Sequence, residues 1–256
     1  MSIDLAVEDG VAVVTINRPE RKNAVTLAMR EEITRIFERA QDDNAIRAVV
    51  LTGAGPDFSA GADITEMGTG GVRGSMAKMR NQHRMSRAVA ATAKPVIAAI
   101  TGVCMGASWS LALQSDIVVA SEDARFQFAF RHIGLAPDGG AAFLLTRYLG
   151  IQRAKEIIYS GRFVRGTEAR ELGLALYALP AAEVLPKAME LAQGFAKGPT
   201  IALSAAKRQF AAAAGQTFDQ ALDLEATFQP LLVQTEDFKE GTRAFKEKRP
   251  PLFTGN

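Results

Sequence analysis

Four short apolar runs constrain this chain more than anything else in it: Val11–Ile16 (VAVVTI), Ala48–Thr52 (AVVLT), Val96–Ile100 (VIAAI) and Ile117–Ala120 (IVVA). None alternates with polar residues. A strand that is apolar on both sides must be covered on both sides, so these runs predict a buried and mostly parallel sheet. Parallel neighbours need long crossovers, and the first gap holds one. Between Thr26 and Gln41 the apolar residues Met29, Ile33, Ile36, Phe37 and Ala40 recur at helical spacing, behind a threonine placed to cap them. The expectation is an α/β chain with helices on both faces of a sheet.

The pattern changes after about Gly150. From Ile151 to Arg249 the spacing is helical almost throughout, with few strand signals. Thr217 and Gln220 have the separation of a capping box that opens a helix carrying Phe218, Ala221, Leu222 and Leu224. The C-terminal part therefore reads as a helical layer, with a boundary between residues 1–195 and 196–256. Gly68–Gly74 (GTGGVRG) reads as a glycine-rich, mobile break. No repeat of 20–50 residues is evident.

Composition removes several classes of function. A formal charge of +2 with dispersed Lys and Arg argues against nucleic acid. No apolar run approaches the roughly 20 residues that cross a bilayer, and the first residues lack the apolar stretch of a secretory signal. Two histidines, His83 and His132, and one cysteine, Cys104, nearly exclude the usual zinc sites. A lone cysteine also fits a reducing compartment, so a soluble cytoplasmic enzyme is expected.

Two glycine-containing turns follow strands and open helical patterns: Phe58–Ile64 (FSAGADI) and Thr101–Ala112 (TGVCMGASWSLA), the latter with Gly102 and Gly106. Backbone N–H groups at such junctions lack intrahelical partners, and two aimed at one point would form an oxyanion hole. Glycines there also serve tight turns and close packing, and spacing alone leaves both readings open. A dinucleotide fingerprint fails, because Gly53 and Gly55 are followed by Pro56, and Phe58 stands where the third glycine belongs. Gly134–Gly140 (GLAPDGG) precedes an apolar helical run. Asp138 can be that helix's N-cap or a general base, and the two roles demand different surroundings. A helix terminus lowers a carboxyl pKa and an apolar setting, such as Phe126, Phe128 and Phe130 could supply, raises it.

These segments occur in the order and spacing of the enoyl-CoA hydratase/isomerase (crotonase) superfamily, which the chain resembles along nearly its whole length. Asn17-Arg18-Pro19-Glu20 and the Phe245–Pro251 stretch match as well, and Phe130–Asp138 resembles the branch containing the enoyl-CoA and ring-epoxide isomerases of phenylacetate breakdown. The resemblance implies a crotonase-like ββα spiral core with a helical C-terminal region used for trimerisation and for capping CoA. It implies a homotrimer, or a hexamer built as a dimer of trimers, acting on an acyl-CoA with no added cofactor and no metal, since CoA arrives within the substrate thioester. The oxyanion donors implied are the N–H groups of Ala62 and Ala107. Arg21, Lys22, Ala60, Asp63, Ile64, Gly106, Phe245 and Lys248 would lie along the CoA moiety and the thioester.

A hydratase of this family carries two glutamates, and the corresponding positions here are Ser110 and Phe130, which the resemblance leaves lining the acyl group. Asp138 falls where Asp-dependent isomerases carry their base. One carboxylate suffices to move a proton between two carbons, whereas hydration must also activate water. The expected activity is therefore an enoyl-CoA isomerase, with a hydratase or a catalytically impaired acyl-CoA-binding homologue as the alternatives. Ser110 with His132 could form a nucleophilic pair but lacks a G-x-S-x-G elbow. Trp109 could line the acyl group or the core, Cys104 reads as a small buried apolar residue, and Met76, Met79 and Met85 read chiefly as packing.

Overall fold

The computed structural model describes residues 2–256. Each of the four apolar runs is a strand, and each lies inside one six-stranded sheet. β1 (Ile3–Glu8) and β2 (Val11–Ile16) form an antiparallel hairpin at one edge. β3 (Ala48–Gly53), β4 (Val96–Ile100) and β6 (Ile117–Ser121) follow in parallel, and β9 (Tyr177–Leu179) closes the other edge, giving the order β1-β2-β3-β4-β6-β9. A second sheet is small: β5 (Val103–Met105) beside β7 (Arg125–Gln127) and the two-residue β8 (Val164–Arg165).

Side chains alternate across a strand, so the central strands feed two cores at once. Val11, Ala48, Val50, Ile97, Ala99 and Val119 meet α7 (Ala181–Ala196), whose contact stripe is Val184, Ala188, Ala192 and Ala196. Three alanines four residues apart let that helix lie close against the sheet. The opposite face, with Val14, Ile16, Leu51, Ala98 and Ile100, enters the larger core. There it meets α1 (Leu27–Asp42) and α2 (Gly71–Ala91), then α3 (Ala107–Ala112), α4 (Ala141–Leu149) and α5 (Ile151–Ser160). Helix α1 is entered through Thr26, whose hydroxyl accepts the Met29 N–H at 3.2 Å.

Some expectations change. Residues beyond Ile151 are not purely helical: after α6 (Gly166–Glu171), β9 returns the chain to the main sheet, and β8 joins the small one. Strands of two or three residues hold no period that could be read. The glycine-rich stretch does not break the chain along its length, because α2 begins at Gly71 and includes Gly74. Beyond α7 come α8 (Thr200–Ala213), α9 (Phe218–Leu232) and α10 (Glu236–Glu247). The Thr217 box is formed, with Gln220 returning its side chain to the Thr217 N–H at 2.9 Å. No residue of α9 is buried, and Phe210, Phe218, Leu231 and Phe245 are exposed. Among the described residues no helix is long and apolar enough to cross a membrane.

Candidate active site

Phe58–Ile64 leaves β3 and runs beside β5. The Ser59 N–H donates to Val103 O and the Met105 N–H donates to Ser59 O, each at 2.9 Å. The segment then passes Val25, whose N–H donates to Gly61 O at 2.8 Å, while the Asp63 N–H donates to Val25 O at 3.0 Å. These ladders use the amides of Ser59 and Asp63, and of the three between them the Ala60 N–H donates to Lys22 O and the Gly61 N–H to Ser59 Oγ. Among the described residues the Ala62 N–H donates to no protein acceptor. The Ala107 N–H, first in α3 and so without an intrahelical partner, donates to none either. Only Ala107 stands at an α-helix start; Phe58–Ile64 leads into a three-residue 3-10 turn, Ile64–Glu66, not the helix its pattern suggests. Gly61 lets the two segments meet. Its φ is +100°, and a Cβ there would lie 2.8 Å from Met105 O and 3.9 Å from Ala107 N.

Buried hydroxyls and an amide lock this arrangement. Ser59 and Ser108 lie 2.7 Å apart through their Oγ atoms. The Ser59 hydroxyl donates to Asn23 O at 2.7 Å and accepts the Gly61 N–H at 3.1 Å. A hydroxyl has one proton, so Ser108 must be the donor to Ser59. Asn23, fully buried at φ 55°, donates through Nδ2 to Ala54 O and Asp57 O and accepts the Arg18 N–H on Oδ1. Arg18 in turn pairs with Asp63, next to Ala62, and Thr65 adds two more donors to that carboxylate. The Arg18 hydrogen bond is the chief cause, with Thr65 second, of an Asp63 pKa lowered to about 2. Asp63 therefore turns its side chain inward, and only its backbone is left to border a ligand.

The third segment settles on α3 one turn past Ala107. The Ser110 hydroxyl donates to Asp138 O at 2.9 Å, and Gln114 Nε2 donates to Gly139 O at 2.7 Å. Both carbonyls of the turn are thus held by α3 and the residues just after it. Gly139 has φ +60°, and a Cβ on it would lie 2.8 Å from the Ser110 Cβ. Ser110 is fully buried and directs its hydroxyl at the backbone of the Asp138 turn. It does not pair with His132, whose ring nitrogen lies 3.2 Å from Gly161 O.

Asp138 does not cap α4. The N-cap is Gly140, with no side-chain hydrogen bond, and Asp138 contributes only its carbonyl, to the Ala141 N–H. Its Oδ1 is buried and has no hydrogen-bond partner. Burial pushes the carboxyl pKa up, and the charges of Arg30 and His83 partly restrain it. Three residues of helix rise separate Ala107 from Ser110, about 4.5 Å. Two free N–H groups and a poorly solvated carboxylate are therefore carried on one short frame. Donors of the first kind stabilise a developing oxyanion, and a carboxylate of the second kind can exchange a proton with carbon.

The aromatic residues lie beneath this frame. Trp109 is 4.2 Å from Phe128 and 5.2 Å from Phe126 between ring centroids, and Phe128 is 6.0 Å from Phe130. Trp109, Phe126 and Phe128 are core residues, and so is Cys104. The Phe130 ring faces Gly106, 3.9 Å from where a Cβ would stand. Of the methionines, Met85 is in the core and Met76 is exposed.

The residues expected along CoA fall in two places. Arg21 and Lys22 are exposed, and the Ala60 N–H donates to Lys22 O at 2.8 Å, so these three lie together at the Phe58–Ile64 segment with the exposed Ile64. Phe245 and Lys248 are on and just past the last turn of α10. Phe245 helps line a cleft of ≈ 580 Å³ between α8, α9 and α10, which none of Ala62, Ala107 or Asp138 lines. No hydrogen bond or ion pair among the described residues joins the two places. Asn23, Ser59, Ser108, Gln82 and Gln114 escaped the sequence reading. An asparagine or serine shows nothing in sequence of which backbone group it will reach, and only Ser59 and Ser108 sit inside turns already singled out.

Comparison with known proteins agrees with this geometry. Residues 6–256 match the family model described as enoyl-CoA hydratase/isomerase. A protein from Rhodobacter capsulatus named probable enoyl-CoA hydratase is 37% identical over 254 residues, 99% of this chain and 98% of its own. The 1,2-epoxyphenylacetyl-CoA isomerase of Escherichia coli is 37% identical over 253 residues, 97% of each. The crystal structure of an enoyl-CoA hydratase from Bacillus anthracis superimposes with a TM-score of 0.95 at 31% identity, covering 100% of both chains.

Proposed function

We propose that this chain, which belongs to the enoyl-CoA hydratase/isomerase family, is an isomerase that shifts a carbon–carbon double bond within an enoyl-CoA. Its relatives bear hydratase and isomerase names alike, so the choice rests on the carboxylates. The observation that carries it is the buried, unpartnered Oδ1 of Asp138, standing without a second acid at Ser110 or Phe130. In the proposed reaction the thioester oxygen of a 3-enoyl-CoA rests between the N–H groups of Ala62 and Ala107. Asp138 takes a proton from C2, and the electron pair moves onto that oxygen to give a dienolate. Asp138 then returns the proton to C4, leaving the double bond between C2 and C3. No water is consumed.

Each backbone donor of this kind is worth about 10²–10³ in rate. The raised pKa of Asp138 suits both halves of the cycle: the base is less stabilised as a carboxylate, and the acid it becomes is not too strong to hold the proton between carbons. The CoA moiety would lie along Arg21, Lys22, Ala60 and Ile64. A trimer, or a dimer of trimers, would use the exposed apolar residues of α8–α10 and bring Phe245 and Lys248 to the CoA. We place the enzyme in the cytoplasm, where its single buried thiol stays reduced, and assign it no cofactor beyond the substrate's own CoA.

The test is to incubate the protein and Asp138→Asn with 3-enoyl-CoA and 2-enoyl-CoA and follow mass and absorbance. A mass-neutral interconversion, slowed by about 10²-fold or more in the variant, is the expected result. A gain of one water would make it a hydratase, free CoA a thioester hydrolase, and tight binding without turnover a binding protein.

A further inference from the structure

The inward face of α2 carries polar groups that nothing in the fold uses. Gln82 is 1% exposed, yet neither its amide nitrogen nor its amide oxygen has a hydrogen-bond partner. Ser86, one turn further along the same face, also has a buried hydroxyl without a partner. Met85 and Val89, the other buried residues of the helix, join the main core. A helix that only packed would carry apolar residues throughout this face. An unpaired amide in the interior opposes folding, and such departures from good packing mark places shaped for something else.

Gln82 stands beside the Asp138 turn, because its Nε2 lies 3.4 Å from where a Cβ on Gly139 would be. Gln114 spends its Nε2 on Gly139 O and leaves its own Oε1 buried and unpartnered. One donor, Gln82 Nε2, and the acceptors Gln82 Oε1 and Gln114 Oε1 are therefore gathered near the carboxylate that is proposed to move the proton. The thioester end of the substrate is held across α3, at Ala62 and Ala107. Atoms that pass Asp138 and continue toward α2 belong to the acyl group beyond C4.

We propose that this is a subsite for the distal acyl group, and that the acyl group carries a neutral oxygen there, a hydroxyl or a ketone. The inference rests on the reading that places the acyl chain along Asp138. A neutral oxygen suits the subsite because an amide can donate to a carbonyl and can also accept from a hydroxyl. A carboxylate would instead be brought near the Asp138 carboxylate. A plain alkyl chain would leave the amide of Gln82 without a partner, as it is in the free protein.

Binding of saturated thioesters tests this without requiring turnover. Hexanoyl-CoA, 5-oxohexanoyl-CoA and 6-hydroxyhexanoyl-CoA are titrated by calorimetry into the protein and into Gln82→Met, with Ser86→Ala as a second variant. At least one oxygenated thioester is expected to bind about tenfold tighter than hexanoyl-CoA to the unsubstituted protein, as for sites built to pair a substrate oxygen. Gln82→Met is expected to lose that preference and to melt at a higher temperature. Equal binding of all three thioesters would overturn the proposal, as would a preference that survives in Gln82→Met. A lower melting temperature in that variant, where it still folds and binds hexanoyl-CoA, would also overturn it, since the amide would then be held by ordered water as part of the fold. Should Gln82→Met not fold, Ser86→Ala decides by whether the preference shrinks. If the preference is found but the corresponding 3-enoyl thioesters are not isomerised, the isomerase reading falls and the subsite stands.

Discussion

The two sides of the site solve opposite problems with the same kinds of residue. On the oxyanion side, Arg18, Asn23, Ser59, Ser108 and Asp63 are joined in a continuous network, and the groups left over are the two N–H groups of Ala62 and Ala107. On the acyl side, Asp138, Gln82 and Gln114 each keep a buried polar atom with no partner. Ser110 and Gln114 grip only the backbone of the turn, which leaves the Asp138 carboxylate free of the protein that holds it in place. The difference matches what the proposed reaction asks of each side. A hydrogen-bond donor works best when it cannot move, whereas a proton carrier must change its charge and so cannot be tied into a network that favours one form.

That contrast predicts where substitutions hurt. Asp138→Asn should lower turnover most, by about 10²–10⁴-fold, while acyl-CoA binding changes little. The same variant should be more stable than the parent near neutral pH. Burial raises the folded-state pKa of Asp138, so its ionised form opposes folding above about 3.9, the unfolded value. The gain is complete above the folded pKa and fades as pH falls from there to about 3.9, which melting curves across pH would trace. A stability gain that persists unchanged to low pH would remove Asp138 from the unpaired side.

Ala107→Pro probes the other side. Proline is tolerated at the first position of a helix, where it replaces the N–H with a ring carbon, so turnover should fall by about 10²–10³-fold with the fold retained. Unaltered turnover would show that the free N–H is incidental. Smaller effects are expected in stability. Arg18→Met strips a charged partner from buried Asp63, costing about 1.5–3 kcal/mol in denaturant unfolding. Because the pairing lowers the Asp63 pKa to about 2, its contribution is present above about 3.9 and is lost as pH falls through that lower value. The variant should therefore lose the share of the parent's acid destabilisation that comes from Asp63 between about 3.9 and about 2. Ser110→Ala should matter least, by about 2–10-fold in turnover, the equivalent of one hydrogen bond to the turn, with little change in stability-linked pH behaviour.

How much of this was legible in the sequence differs between the same two sides. The four inner strands of the sheet were legible because strands covered on both faces, such as Val96–Ile100, must be apolar at every position, whereas the edge strands β1 and β9 were not. The turns holding Ala62 and Ala107 were legible as glycine-bearing junctions, although which N–H groups would remain free depends on ladders from Val25 and Val103 that are distant in sequence. The alternatives for Asp138 could not be separated in one dimension. Cap and base both need a short acid before an apolar helical run, and only the left-handed Gly140, which takes the cap position itself, distinguishes them. Strands β5, β7, β8 and β9 were missed because two or three residues carry no period. Gln82 was missed because a glutamine on a helical pattern reads as solvent-facing until its neighbours are known.

The central claim is that Asp138 carries a proton between two carbons of a bound enolate. Its most direct test is to convert a 3-enoyl-CoA deuterated at C2 with the protein in ordinary water and locate the deuterium by mass spectrometry and NMR. Deuterium at C4 of the 2-enoyl-CoA formed, with no such product from Asp138→Asn, is the predicted result. A hydrated product, or 2-enoyl-CoA with no deuterium at C4, would contradict the account.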